Sequence, residues 1–137
     1  VVWACAAVAA DNPQTVSPRE MASIRAKIKA QDWKAAIADL DKLVQFGIVD
    51  ADIFNLMGFS LRKSGALDRA GQFYRRALGM NPRHLGALEY QGELFLMLGD
   101  RASAEANLAR LRELCPTGCE EREDLEAAIA AHGKRGG

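Results

Sequence analysis

ADIFNLMGFSLRKSGALDRAGQFYRRALGMNPRH, residues 51–84, decides the fold. Phe54, Met57 and Leu61 recur at three- and four-residue spacings, and so do Ala70, Tyr74 and Ala77. Each set lays one apolar stripe along a helix. Gly65 between the sets and Pro82 after them are stop signals, because glycine enters the left-handed conformation easily and proline lacks an amide donor. The stretch reads as helix, tight turn, helix, break. Gly58 and Ala70 are small where the two helices cross, since larger side chains would push the axes beyond the usual separation of about 8–10 Å.

Working outward, residues 85–118 repeat the pattern in register, with Leu88, Gln91, Gly92, Phe95, Gly99, Ala104, Leu108, Leu111 and Pro116 at the same places. Gln91 and Leu111 are the departures. Ala36, Ala70 and Ala104 lie 34 residues apart, as do Leu40, Tyr74 and Leu108. On the other side, residues 17–50 keep Trp33, Ala36, Leu40 and Leu43 but carry Ile24 where the glycine belongs and Ile48 where the proline belongs. That unit is a degenerate end-of-array repeat. A period of about 34 residues with these signatures resembles the tetratricopeptide repeat.

The resemblance implies an all-α, right-handed α-solenoid of about three antiparallel helix pairs (units 17–50, 51–84 and 85–118) closed by a capping helix. Helices are expected near 18–30, 32–46, 51–63, 67–79, 85–98, 101–114 and 120–131, so that the repeat domain spans 18–131 and residues 132–137 form a flexible tail. The last helix carries Glu120, Glu121, Glu123, Asp124 and Glu126 yet keeps Leu125, Ala128 and Ile129 on one stripe. That pattern suits a terminal element that covers the apolar end of the stack and stays solvated outside. The acidic run therefore reads as a solvated cap, with acidic residues favourably placed at the start of a helix dipole.

Composition narrows the function. Eighteen basic and eighteen acidic residues cancel, leaving no overall field to draw the chain to nucleic acid or anionic lipid. Val1 to Ala10 are uncharged, apolar and end in small residues, and a polar linker, 11–17, follows. Such a stretch reads as the remnant of a signal peptide and points to a periplasmic or otherwise exported bacterial protein. The alternatives are an alanine-rich first helix, lipid attachment through Cys5, or a cytoplasmic protein. Ten residues are too few to span a bilayer.

The resemblance also implies where a partner would sit, because in this family the first helix of each pair lines the concave wall. Carried over, those positions are Asp52, Asn55, Phe59, Arg62 and Lys63 in the middle unit and Gly86, Glu89, Glu93, Leu96 and Met97 in the third. The first unit supplies Met21, Arg25, Ile28 and Lys29. The groove would run from basic to acidic. Phe59 and Met97 are either apolar anchors for a peptide or side chains partly buried between repeats. Family members that bind a carboxylate C-terminus use Lys, Asn and Arg here, whereas this chain has Glu89 and Glu93. The expected role is a protein–protein interaction scaffold, with self-association as the alternative.

Cys115 and Cys119 flank a Pro-Thr-Gly turn, and in an exported chain such a pair reads as a disulfide that pins the last helix. Three residues between them do not match the two-residue redox spacing. A metal site would want more ligands than His84, at a repeat junction, and His132 in the tail. The sequence has no Gly-x-Ser-x-Gly elbow and no phosphate-binding loop, so no enzyme, cofactor or metal is expected.

Overall fold

The computed structural model describes residues 15–135 and contains seven helices among them. They are α1 (Pro18–Lys29), α2 (Trp33–Gln45), α3 (Ala51–Lys63), α4 (Leu67–Met80), α5 (Leu85–Met97), α6 (Arg101–Leu114) and α7 (Glu120–Arg135). The expected signal remnant, Cys5 and most of the linker lie outside the described residues, as do the last two residues of the tail. The described part of the tail is not a loose end: α7 continues through it to Arg135. Arg101 reaches across to the Ile129 carbonyl at 3.5 Å and ties that helix back to α6.

Local chemistry sets the boundaries. Ser17 and Glu20 form a reciprocal capping box at the start of α1, with Pro18 in the first turn. Asp32, Asp50 and Asp100 each accept a backbone N–H three residues on. The first helix of every repeat ends in the same hydrogen-bond pair. In the middle unit Gly65 N–H donates to the Arg62 carbonyl at 3.1 Å and Ala66 N–H to the Leu61 carbonyl at 2.9 Å. This Schellman closure needs a left-handed residue, and Gly65 has φ 90°. The degenerate first unit keeps the geometry without the glycine: Gln31 takes φ 58°, and Gln31 and Asp32 make the equivalent bonds to Ile28 and Lys27. A turn that nothing in the sequence of that unit announces is thus the same turn.

Missing proline is compensated similarly. Pro82 and Pro116 follow the ends of α4 and α6. After α2 the stop is instead a second Schellman motif, with Ile48 N–H donating to the Leu43 carbonyl at 3.0 Å. Ile48 is buried against the same core as Leu43, the apolar contact that accompanies this closure.

The helices pack as the pairs α1·α2, α3·α4 and α5·α6, stacked through α2·α3 and α4·α5, with α7 against both α5 and α6. One core, around Phe54, Met57, Leu61 and Tyr74, fills the first two units; a second, around Leu108, Leu111, Leu125 and Ile129, fills the last unit and the cap. Leu78 packs against both and makes the stack continuous.

Volume is traded across the helix crossings. A Cβ on Gly58 would stand 2.6 Å from the Tyr74 ring, so the large aromatic requires the glycine. In the first unit the same two places hold Ile24 and Leu40, both buried, two medium side chains in place of one small and one large. In the third unit the facing residue is Leu108, smaller than tyrosine. There a Cβ on Gly92 would meet Leu125 of α7 at 2.7 Å, so the cap, rather than the paired helix, fills the space above that glycine. Gly92, in register with Gly58 and expected to serve the same crossing, therefore makes room chiefly for the cap. In 34-residue register α7 is the first helix of an incomplete further repeat.

Cys115 and Cys119 lie side by side in the turn between α6 and α7, with Cα atoms 6.0 Å apart, within the range a disulfide needs. Arg122 holds the turn from the other side, donating to the carbonyls of Cys115 and Pro116, each at 3.2 Å. The oxidised protein should weigh about 2 mass units less than the all-thiol form. Native labelling of both cysteines by a maleimide would contradict the bond.

Candidate partner-binding groove

The first helices of successive units, α1, α3, α5 and α7, share one face. A cleft of ≈ 300 Å³ on it is lined by Arg25 of α1, Asp52, Asn55 and Leu56 of α3, His84 at the cap of α5 with Gly86, Glu89 and Tyr90 of α5, and Glu120, Glu121 and Asp124 of α7. This is the face expected to form the inner wall.

Beside the cleft an aromatic rank crosses the repeats. The Phe59 ring lies 5.9 Å from Trp33 and 4.8 Å from Tyr90. All three are half-buried, so the open alternative for Phe59 resolves toward a seat between repeats with one edge left to solvent. Met97 is 54% exposed and is the open apolar member of the expected set. Lys63 is exposed, with its ammonium 5.7 Å from the Phe59 centroid.

Arg62 organises this wall from inside. It was expected to face a partner, but only 6% of it is exposed. Its guanidinium carbon lies 5.6 Å from the Phe59 centroid and 5.7 Å from that of Tyr90, a cation–π arrangement on two rings. Nη2 stands 2.7 Å from Glu93 Oε2 at an angle that makes an ion pair and not a hydrogen bond. Nε donates to the Tyr74 hydroxyl at 3.4 Å. Burial pushes the Tyr74 phenol far above its ordinary range, with Arg62 opposing, so tyrosine stays a neutral acceptor.

Asn55 and Glu89, also expected at the surface, are each only 6% exposed. Their burial has a cause the repeat pattern could not show. Gly86 has no side chain and sits close to Asn55, and α7 folds over the Glu89 end of α5. Burial, reinforced by Glu93, Asp124 and Glu121 and weakly opposed by Arg62, pushes the Glu89 carboxyl up to about 8.

The remaining expected residues divide. Arg25 is exposed and reaches the cleft; Ile28 is half-buried in the core and Lys29 exposed outside it. Leu96 is buried in the second core and faces no groove. Met21 lies apart from the wall, beside Ile48, Val49 and Ile53. Tyr90, Leu56, His84 and the acidic start of α7 escaped the positional reading. Tyr90 and Leu56 occupy one further place in the register, a spacing that could have been followed. His84 caps α5, its Nδ1 accepting from Ala87 N–H at 3.0 Å, which leaves Nε2–H to donate to Asp52 Oδ1 at 2.6 Å. The acidic start of α7, read as merely solvated, forms one side of the cleft.

Among the described residues no group of His, Cys, Asp and Glu could hold a metal ion, and no helix is long and apolar enough to cross a membrane.

No protein-family model matches the chain, and no curated protein matches it by sequence. Solved structures do. The TPR domain of Arabidopsis OM64 superposes with a TM-score of 0.72 at 15% identity, covering 83% of this chain and 93% of that one. The Yersinia enterocolitica type III secretion translocator chaperone SycD gives 0.74 at 18% identity over 85% of this chain and 91% of that one. PcrH, solved in complex with the chaperone binding region of PopB, gives 0.70 at 23% identity over 87% and 98%. Identities this low speak for shape alone, and with the period, the closures and the crossings above they give one conclusion: the chain has the fold of a tetratricopeptide-repeat domain.

Proposed function

We propose that the chain is a protein-interaction scaffold that holds an extended or helical segment of a partner protein against its inner wall, in the assembly of exported bacterial envelope proteins. The observation that carries this reading is the aromatic rank Trp33–Phe59–Tyr90, half-open and continued by exposed Met97. Clustered aromatic rings braced by a buried arginine are the kind of rigid apolar surface on which a few anchor side chains carry most of the binding energy. Structures of the same fold support it, since PcrH was solved with a segment of PopB and, separately, of PopD. The close cysteine pair, placed to form a disulfide, suits an oxidising setting. No catalytic role is assigned.

The test is affinity capture with the tagged protein followed by identification of what is retained. Phe59→Ala with Tyr90→Ala should weaken capture of the main partner at least about tenfold, the loss of one or two anchors. Capture unchanged by that pair, in a variant with unaltered circular dichroism, would refute the groove. A second reading, self-association, is favoured by Phe46 and Val49 at the first-unit end of the stack, 81% and 66% exposed. Light scattering decides it: a concentration-independent monomer rejects the second reading.

A further inference from the structure

The cleft beside the aromatic rank is unbalanced in charge. Asp52 contributes from α3, Glu89 from α5, and Glu120, Glu121 and Asp124 from α7. Against these five acidic side chains stands Arg25 of α1, while His84 donates to Asp52. Arg62, which acts on Glu89 from outside the cleft lining, is held by Glu93.

One buried group there has unmet acceptor capacity. Asn55, 6% exposed, lines the cleft, and its Oδ1 has no hydrogen-bond partner. Glu89, equally buried as a residue, lines the cleft beside it. Buried acceptors without partners are rare in folded proteins. A fragment supplying N–H donors and positive charge answers both the amide and the acidic lining. A bare divalent ion does not suit the place, since no cluster of ligands converges on one point. Leu56 and Tyr90 give the cleft apolar walls fitted to a methylene stem whose charged end reaches the carboxylates.

We propose that this cleft receives the ammonium or guanidinium of a lysine or arginine side chain carried by the bound peptide. The inference rests on the groove reading and adds to it the chemistry of the partner: an apolar anchor on the aromatic rank and a basic residue beside it. The α7 carboxylates then set specificity against acidic segments.

The experiment follows amide and side-chain amide resonances of the full chain during titration. The probes are the acetylated, amidated hexapeptide of alternating Lys and Ala, its Gln-for-Lys counterpart, spermidine, and magnesium chloride. The Lys peptide should saturably shift the Asn55 side-chain amide and the backbone amides of Glu89, Glu121 and Asp124, with the Gln peptide at least about tenfold weaker. Glu121→Gln with Asp124→Asn, a half-buried and an exposed residue on the cleft side of α7, should weaken the Lys peptide at least about fivefold with unaltered circular dichroism. Equal binding of the two peptides, no saturation, or indifference to the α7 pair overturns the proposal. Saturation of the same resonances by spermidine or magnesium at a tenth of the peptide concentration also overturns it, in favour of a free cation. If Gln and Lys peptides bind alike and Phe59→Ala with Tyr90→Ala removes both, the groove stands and only the cationic pocket falls. If the Lys peptide discriminates as expected while partner capture ignores the aromatic pair, the reverse holds.

Discussion

Arg62→Ala should destabilise the protein by roughly 3–5 kcal/mol, the range for removing one member of a buried ion pair, read as a fall in the urea midpoint at unchanged m. The guanidinium is only 6% exposed and has a partner on each side: Glu93 in the ion pair, the Tyr74 hydroxyl at Nε, and the Phe59 and Tyr90 rings. Deleting it leaves Glu93 unneutralised beside Glu89, an unmet phenol and a cavity below the aromatic rank. Those costs come from the groups left behind, so removing both charged partners should be far milder. Arg62→Met with Glu93→Leu is expected to recover about half or more of the loss, because buried ion pairs replaced by apolar side chains of similar volume are often neutral. A loss below about 1 kcal/mol for Arg62→Ala would mean that the arginine is solvated and the wall organised otherwise.

The second large effect is a pH dependence centred on Glu89. Its carboxyl is raised from 4.5 to about 8, chiefly by burial and then by Glu93, Asp124 and Glu121. Between those values the native state holds a proton that the unfolded chain has released, so stability falls as pH rises through the window and is lowest above about 8. Each tenfold change in proton affinity is worth about 1.4 kcal/mol, which places the total at roughly 2–4 kcal/mol after relaxation of the site. Glu89→Gln keeps the shape and removes the titration. At pH near 4.5 wild type and variant should be about equally stable. By pH 9 the variant should be the more stable by roughly that amount. Parallel stability curves for the two proteins would show that Glu89 is solvated. The surface carboxylates Glu20, Asp100 and Glu126 are shifted the other way by hydrogen bonds, and their stabilising effect is lost as pH falls, in both proteins alike. The two effects couple: Arg62 opposes the rise at Glu89, so Arg62→Met should steepen the pH dependence.

This buried carboxyl also fits the cationic pocket. A carboxyl held protonated by burial and by neighbouring acids ionises when a cation is brought beside it.

What the sequence by itself determined is the periodic part. The recurrence of Ala36, Ala70 and Ala104, the glycine turns and the prolines are local signals, each acting through backbone conformation or stripe spacing within one unit, and they placed every helix to within a few residues. Gly58 against Tyr74 was legible for the same reason, since both residues belong to one 34-residue unit. Only the tertiary structure decided what depends on two units at once. Gly92 accommodates Leu125 of the cap, and Asn55, Arg62 and Glu89 lie beneath neighbours contributed by other helices. Burial is a property of the stack. A position five or twelve residues into a repeat carries no mark of whether the next helix will cover it, and the acidic start of α7 became one side of a cleft only because α7 packs on α5, where Glu89 and Tyr90 line the same space.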